Sequence, residues 1–408
     1  MRIIHTSDWH LGQSFFTKNR ANEHQAFLHW LVAKVTEYDV DAVLVAGDIF
    51  DTGTPPSYAR ELFNRFVVEL QPAGCELIIL AGNHDAVATL NESRDLLACL
   101  NTRVIAGADQ QVFVLRERNG KPGAIVCAIP FLRPRDILTS RAGDSGEDKQ
   151  RALTNAIAGH YQQMYQQALT MRAALPAPVP IIATGHLVTV GAATSESVRD
   201  IYIGSLDAFP AQLFPPVDYL ALGHIHRPQS IGHGLPIHYC GAPIALSFDE
   251  TGQPKQVNLV DFQADLRAEV TPLLIPEVQP LRLLRGTLPE IEAQLLAYRQ
   301  QPAGTPVWLD IEVLTDAWLN DIQQHLQQLA ADLPVEILLL RRNREQRLQA
   351  LANQPSETLA ELSVDEVFDR RLAQAQPRDK TELDRIRQLY RQVAQDIERG
   401  SAPEERMP

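Results

Sequence analysis

Nine residues of this chain have the types and spacing to hold divalent cations and to move protons: Asp8, His10, Asp48, Asn83, His84, Asp85, His186, His224 and His226. They fall in five segments with one grammar, an apolar run followed at once by carboxylate, amide or imidazole side chains. The segments are Ile3-Ile4-His5-Thr6-Ser7-Asp8-Trp9-His10, Leu44-Val45-Ala46-Gly47-Asp48, Ile79-Leu80-Ala81-Gly82-Asn83-His84-Asp85, Ala183-Thr184-Gly185-His186 and Leu222-Gly223-His224-Ile225-His226. In an extended Asp8-Trp9-His10 the first and third side chains point the same way and can grip one ion. His224-Ile225-His226 repeats the spacing, and there a turn is expected to split the imidazoles between neighbouring ions. Asp48 is the natural bridge, because a carboxylate has two oxygens with which to hold two cations. Gly47, Gly82, Gly185 and Gly223 each precede a candidate ligand, where the missing Cβ lets the backbone turn sharply and approach an ion.

Two cations about 3.5–4 Å apart lower the pKa of a bridging water and neutralise charge on the attacking and leaving oxygens of a phosphodiester. Mixed imidazole, carboxylate and amide donors favour Mn²⁺, Fe²⁺ or Zn²⁺ over Mg²⁺, which prefers all-oxygen shells. A lone histidine after a strand is more often a core or surface residue than a ligand; five such strand ends in one chain are not explained by core packing. His5, His24, His29, His160, His233, His238 and His325 lack that context and read as structural or exposed.

Those strand ends need a scaffold that brings them together. Up to about residue 270, short β-branched runs alternate with longer helical patterns, the signature of an α/β layered domain. Residues 2–6, 42–46, 77–81, 181–184 and 219–221 read as buried strands whose near-continuous apolar character suits a sheet covered on both faces. Further strands are expected at 112–115, 124–128, 237–239 and 257–262, and helices at 22–38, 57–70, 91–100 and 148–175. In α/β sheets, sites form beyond the carboxyl ends of the strands, where these segments end.

The two prolines of Ile275-Pro276-Glu277-Val278-Gln279-Pro280 read as a linker. This divides the chain into a sheet core at 1–275, a small α/β cap at 276–345 and C-terminal helices at 346–408. The cap pattern is β-α-β-α-β, over 281–284, 289–300, 307–314, 317–329 and 335–340. Two apolar stripes follow at helical spacing, Leu359, Leu362, Val364, Val367, Phe368 and Leu372, then Leu383, Ile386, Leu389, Tyr390, Val393 and Ile397. They either dock on a partner or fold back on the chain.

At 408 residues and 45% hydrophobic composition the chain can bury a large core. No apolar run is long enough to span a membrane and the first residues read as a strand, so the expected address is the cytoplasm. Cys75, Cys99, Cys127 and Cys240 are widely spaced and read as core thiols. The formal charge of −13 runs against simple electrostatic binding of nucleic acid. Local arginines at 133 and 135, and at 341, 342, 344 and 347, or a partner, would have to supply the attraction. Gly120-Lys121 lacks the preceding glycine of a phosphate-binding loop, so no ATP hydrolysis is expected here.

In order, the five blocks read DxH, GDxx, GNHD, GH and GHxH. This pattern resembles the calcineurin-like metallophosphoesterases. Within them, Phe131-Leu132-Arg133-Pro134-Arg135-Asp136 and Arg199-Asp200-Ile201-Tyr202-Ile203-Gly204 are similar to the nuclease subunits of bacterial double-strand-break repair complexes. The resemblance implies a layered phosphoesterase sheet core with two Mn²⁺ ions. Asp8, His10, Asp48 and His226 would hold one, and Asp48, Asn83, His186 and His224 the other. It implies that His84 stays off the metals and contacts the phosphate or protonates the leaving oxygen, with Asp85 orienting it. It also implies double-strand 3′–5′ exonuclease and single-strand or hairpin endonuclease action on DNA in repair and recombination, with an SbcC-like ATPase carrying a long coiled coil. A homodimer through the helices near 58–70 and 91–100 is implied as well. One departure is Asp51, where archaeal and eukaryotic relatives often carry histidine.

The alternative on the same metal site is a phosphatase or a small-molecule or cyclic-nucleotide phosphodiesterase. Against it, Gly47 to Gly53 reads GDIFDTG, with Thr52 where the protein phosphatases have a phosphate-binding arginine. A non-enzymatic DNA-end binder would be expected to lack a ligand, and none is missing.

Overall fold

Along Ala42–Val45 the side chains alternate between two destinations. Val43 and Val45 pack with Phe27, Leu31, Phe63 and Phe66 of the helices Ala21–Glu37 and Ser57–Leu70. Ala42 and Leu44 point the other way, into a cluster with Val126, Ile182 and Ala221 of a second sheet. The second sheet mirrors this: Ile125, Cys127, Ile181 and Ala183 pack on Leu153, Ile157, Tyr161 and Met164 of the helix Gly146–Ala173. The period-2 geometry of a strand therefore produces four layers, helix, sheet, sheet, helix.

In the computed structural model the described residues are 1–107, 111–138, 145–195, 197–198, 208–232, 236–300, 304–314, 319–342 and 389–390. The expectations for Arg344 and Arg347, for residues 199–204, for His233 and for the C-terminal stripes apart from Leu389 and Tyr390 lie outside them.

The first sheet runs, edge to edge, Ala268–Leu274, Gln256–Phe262, Arg2–Thr6, Ala42–Val45, Glu76–Leu80 and Thr102–Ile105. Its last four strands are parallel, and Gln256–Phe262 joins Arg2–Thr6 antiparallel. The second runs Gln229–Ile231, Ile237–Tyr239, Tyr219–Gly223, Ile181–His186, Pro122–Cys127 and Val112–Arg116, with parallel pairs inside and antiparallel pairs at both edges.

Several elements differ from the sequence reading. The helix expected over 91–100 is two short ones, Val87–Asn91 and Arg94–Ala98, broken at Glu92-Ser93, where Ser93 leaves helical geometry at φ −112° and ψ 15°. Cys99, expected in the core, is exposed at the end of the second, while Cys75, Cys127 and Cys240 are buried. The edge strands Thr102–Ile105, Gln229–Ile231 and Ala268–Leu274 were absent from the sequence reading.

From residue 281 a three-stranded sheet of Leu281–Gly286, Val307–Val313 and Val335–Arg342 packs with the helices Leu288–Ala297 and Leu319–Ala330. Ile291, Leu295, Leu309, Ile311 and Leu326 form its own apolar core. Thr287 and Glu290 close the first helix with reciprocal side-chain to backbone bonds. Phe15, Phe248, Leu281 and Trp308 join it to the larger sandwich. The Arg20 guanidinium is buried there, 5.0 Å from the Phe15 ring and 5.7 Å from that of Trp308.

Candidate metal centre

The parallel strands of both sheets end at one rim, and the loops that follow are stitched to one another by backbone bonds. Asp8 N–H donates to Gly47 O and His10 N–H to Asp48 O, each at 3.0 Å, and the N–H of His224 donates to Asp8 Oδ1 at 2.9 Å. The chain there is sharply turned. Asp8, His10, Asp48 and His224 have φ of 55°, 47°, 52° and 88°, a left-handed region that residues with a Cβ occupy at a cost and mostly at functional sites. Asp8-Trp9-His10 is therefore a coiled loop, not the extended segment expected from its spacing. Trp9 fills the fully buried space behind it, edge-on to Phe27 and Phe66.

Three groups of donor atoms converge: Asp8, His10 and His226; His10, Asp48 and His84; Asp48, His186 and His224. Each of these residues except half-buried His84 is buried. The turn at His224 sends its imidazole toward Asp48 and His186 and that of His226 toward Asp8 and His10. Asn83 Oδ1 lies 2.9 Å from His186 Nε2 and 3.1 Å from His224 Nδ1.

Gly47, at φ 93°, turns the chain sharply as its place before Asp48 suggests, whereas Gly82 and Gly223 have a different reason. A Cβ on Gly82 would stand 2.1 Å from Asp48 Oδ1, and one on Gly223 2.0 Å from Ala46 O. What needs the space is the neighbouring loop, which holds the ligands in register.

Two observations show that these residues suit cations. His186 Nδ1–H donates to Ala46 O at 2.9 Å, so its Nε2 faces Asn83 Oδ1 at 2.9 Å and Asp48 Oδ2 at 3.2 Å. In a neutral ring those are lone pairs turned on one another, an arrangement that a shared cation relieves. His10 is alike: Nδ1 pairs with Asp51 Oδ1 at 3.1 Å, while its buried Nε2 makes no hydrogen bond and lies 3.5 Å from Asp48 Oδ2. Partners of this kind fix the tautomer and leave the other nitrogen for a metal.

The electrostatics agree. Burial opposes charge on His186, but the Asp48 carboxylate overrides it and pushes the imidazole up to about 9. Burial also works against charge on His10, and Asp51, Asp48 and Asp8 together raise it above the usual range. His224 goes the other way, held well below its ordinary value by burial and by His186. Burial disfavours the Asp48 carboxylate, yet the surrounding imidazoles hold it ionised well below the usual range. This cluster gathers protons in place of the positive charge that cations would bring.

Asp85 is not placed as the sequence reading has it. The Asp85 carboxylate does not reach for the His84 ring; it accepts from the N–H groups of Gly82, Ile49 and Phe50 at 2.8, 3.1 and 3.0 Å. It thereby ties the Asp48 loop to the Asn83 loop. Burial and the Asp48 charge raise it to about 6, against those three bonds. The His84 ring is oriented by the Asp51 carbonyl, 2.7 Å from Nδ1, and lies edge-on to His10 with centroids 4.7 Å apart. Asp51 thus has two partners the sequence did not indicate. Ser197, Glu250 and Lys255, described below, were missed too, and nothing in their local sequence marks them.

Comparison with known proteins adds to the geometry. Residues 1–228 match the family model of calcineurin-like phosphoesterases, and residues 277–376 match that of the SbcD_C, or type 5 capsule protein repressor, C-terminal domain. The chain is 57% identical over 390 residues to the SbcD component of the SbcCD nuclease of Escherichia coli strain K12, covering 96% of this chain and 97% of that one. The chain belongs to the SbcD family of calcineurin-like phosphoesterases. The SbcD proteins of Rhodobacter capsulatus and Bacillus subtilis are 33% and 29% identical, over 88% and 77% of this chain and 91% and 79% of theirs. SbcD membership makes the chain a metal-dependent phosphodiesterase of the nuclease class with an α/β fold. Among the described residues no helix is long and apolar enough to cross a membrane.

Proposed function

We propose that this SbcD-family chain cuts DNA as the nuclease subunit of a two-component repair complex in the cytoplasm, using two divalent cations, Mn²⁺ foremost. The observation that carries this reading is the pair of donor groups meeting at Asp48, Asp8–His10–His226 on one side and His186–His224 with Asn83 on the other. Bound there, the cations would supply an activated water and neutralise the phosphate oxygens. The chain's own part is to hold them. Asp48 is shared, and Asp85 holds the two central loops at one spacing. His84, half-buried where the ligands are buried, faces a phosphate group and protonates the leaving oxygen, its Nδ1 kept on the Asp51 carbonyl.

Supporting DNA as substrate, the relatives are named nucleases, and Arg133 stands beside the site with its guanidinium on the Asp85 carbonyl at 2.8 Å. Supporting an ATPase partner, the relatives are named subunits of a complex, and this sequence has no phosphate-binding loop of its own. The activity proposed is double-strand 3′–5′ exonuclease and single-strand or hairpin endonuclease, as the motif resemblance implies. Purified chain with Mn²⁺ should open a labelled DNA hairpin, faster with its ATPase partner and ATP. Asp48→Ala should lose bound metal and cleavage together, and His84→Gln should keep the metal and lose turnover by about 100-fold or more. Full activity in either variant, or rapid cleavage of a small phosphodiester beside intact DNA, would overturn the reading.

A homodimer through the face of Ser57–Leu70 and Arg94–Ala98 belongs to the same proposal, supported by Val68 and Leu96, 59% and 66% exposed. Sedimentation should show a dimer that Leu96→Asp converts to a monomer. A monomeric parent chain removes this part.

A further inference from the structure

His226 differs from the other imidazoles of the centre in what stands behind it. Its Nδ1 is 2.6 Å from Ser197 Oγ, and that oxygen is 2.5 Å from Glu250 Oε1. Glu250 is a fully buried carboxylate on the turn Phe248–Glu250, between the second sheet and the strand Gln256–Phe262. Its other oxygen accepts from the Leu246 N–H at 3.2 Å and pairs with the Lys255 ammonium. Lys255 Nζ in turn donates to the His226 carbonyl at 3.3 Å.

One hydroxyl carries one proton, and this decides the direction of the relay. The ion-paired Glu250 carboxylate can only accept, so Ser197 O–H donates to it. The Ser197 lone pair is then left for His226, whose proton must sit on Nδ1. Nε2 is the nitrogen left bare for the cluster with Asp8 and His10. Ser195 Oγ, 3.1 Å from Glu250 Oε1, reinforces the carboxylate as an acceptor.

We propose that Glu250, acting through Ser197, is a positioning residue that fixes the tautomer and angle of His226 and so sets the affinity of the cation held with Asp8 and His10. The proposal rests on the two-cation reading. It makes the two cation positions unequal, because the relay reaches His226 and none of Asn83, His186 and His224. Glu250 Oε1 is itself 3.5 Å from His226 Nδ1, beyond the two short bonds through Ser197.

The test uses the full chain and Mn²⁺ alone, followed by calorimetry and by the electron-spin signal of free Mn²⁺, in the parent, Ser197→Ala, Ser197→Thr and Glu250→Gln. Ser197 is only half-buried, and its removal leaves the Glu250–Lys255 pair intact, so the fold should be retained with an unchanged melting temperature. Two ions should bind the parent. Ser197→Ala should weaken one by about 10–100-fold, the range seen when an outer partner of a ligating histidine is lost, and spare the other. Ser197→Thr, which keeps the hydroxyl, should restore it, and Glu250→Gln should follow Ser197→Ala. In metal-free protein, long-range ¹H–¹⁵N spectra should show the His226 ring protonated on Nδ1 in the parent and mixed in Ser197→Ala. Two ions bound with parental affinities in Ser197→Ala overturn the proposal alone. A parent that takes up no Mn²⁺ overturns the two-cation reading and the proposal with it.

Discussion

Asp8, His10, Asp48 and His224 all hold the left-handed backbone region. Each such residue without glycine's freedom stores on the order of 1–3 kcal/mol, which its surroundings must offset. The offset is visible atom by atom, in the bonds from Asp8, His10 and His224 across to neighbouring loops. Close approach of those loops makes Gly82 a sensitive position although it is not itself a ligand. Gly82→Ala places a Cβ 2.1 Å from Asp48 Oδ1 and 2.3 Å from Asp48 N, backbone included, so the carboxylate must move. We expect cleavage to fall by about 100-fold, as displacements near 1 Å do, with circular dichroism unchanged. Parental metal content in that variant would argue against the geometry. At this scale the sequence was informative about identity and silent about partners. The ligand types stood out at strand ends, but the partner that orients His84 is the Asp51 carbonyl and not the Asp85 carboxylate expected from the resemblance, since a bond to a backbone N–H or carbonyl leaves no trace in residue type.

Among the elements, the short hairpin of Ser14–Phe15 and Lys18–Asn19 is where sandwich and cap meet, and Arg20 is its anchor. Arg20 is fully buried and pairs bidentately with Glu23, and it donates to Ala245 O at 2.9 Å and Gln13 Oε1 at 3.1 Å. Breaking a buried pair from one side leaves an uncompensated charge. Arg20→Met is expected to destabilise the chain by about 3–5 kcal/mol, read from urea unfolding, and a double variant with Glu23→Gln to recover a large part of that. Strictly additive losses would contradict the pairing. The strands that carry the site were legible because Ala42–Val45 and Glu76–Leu80 are covered on both faces and read as unbroken apolar runs. Ala268–Leu274 was not, because it is an edge strand with a mostly exposed or half-exposed face and Pro272 within it, and proline is tolerated only at such an edge. The break at Glu92-Ser93 escaped for a related reason: apolar spacing alone does not distinguish one helix from two short ones.

Across the whole molecule, two of the three donor groups draw on both sheets. Asp8 and His10 follow Arg2–Thr6, whereas His226 follows Tyr219–Gly223; Asp48 follows Ala42–Val45, whereas His186 and His224 come from the second sheet. Cations bound there join the two halves, so binding and stability are linked. Mn²⁺ at about 100 times its dissociation constant should add roughly 2.7 kcal/mol per site, seen as a rise in melting temperature that a chelator reverses. Asp48→Ala should show no such rise, and an equal rise in that variant would mean the ions act elsewhere. The order of the strands has a further consequence. Gln256–Phe262 and Ala268–Leu274, which complete the first sheet beside Arg2–Thr6, are synthesised after His226, the last of the proposed ligands. A nascent chain long enough to contain every proposed ligand still lacks the strand that pairs with the outer edge of Arg2–Thr6, from which the Asp8 loop emerges. The strand that leads into Asp8 and His10 is therefore left with one open edge until the ribosome has passed Phe262.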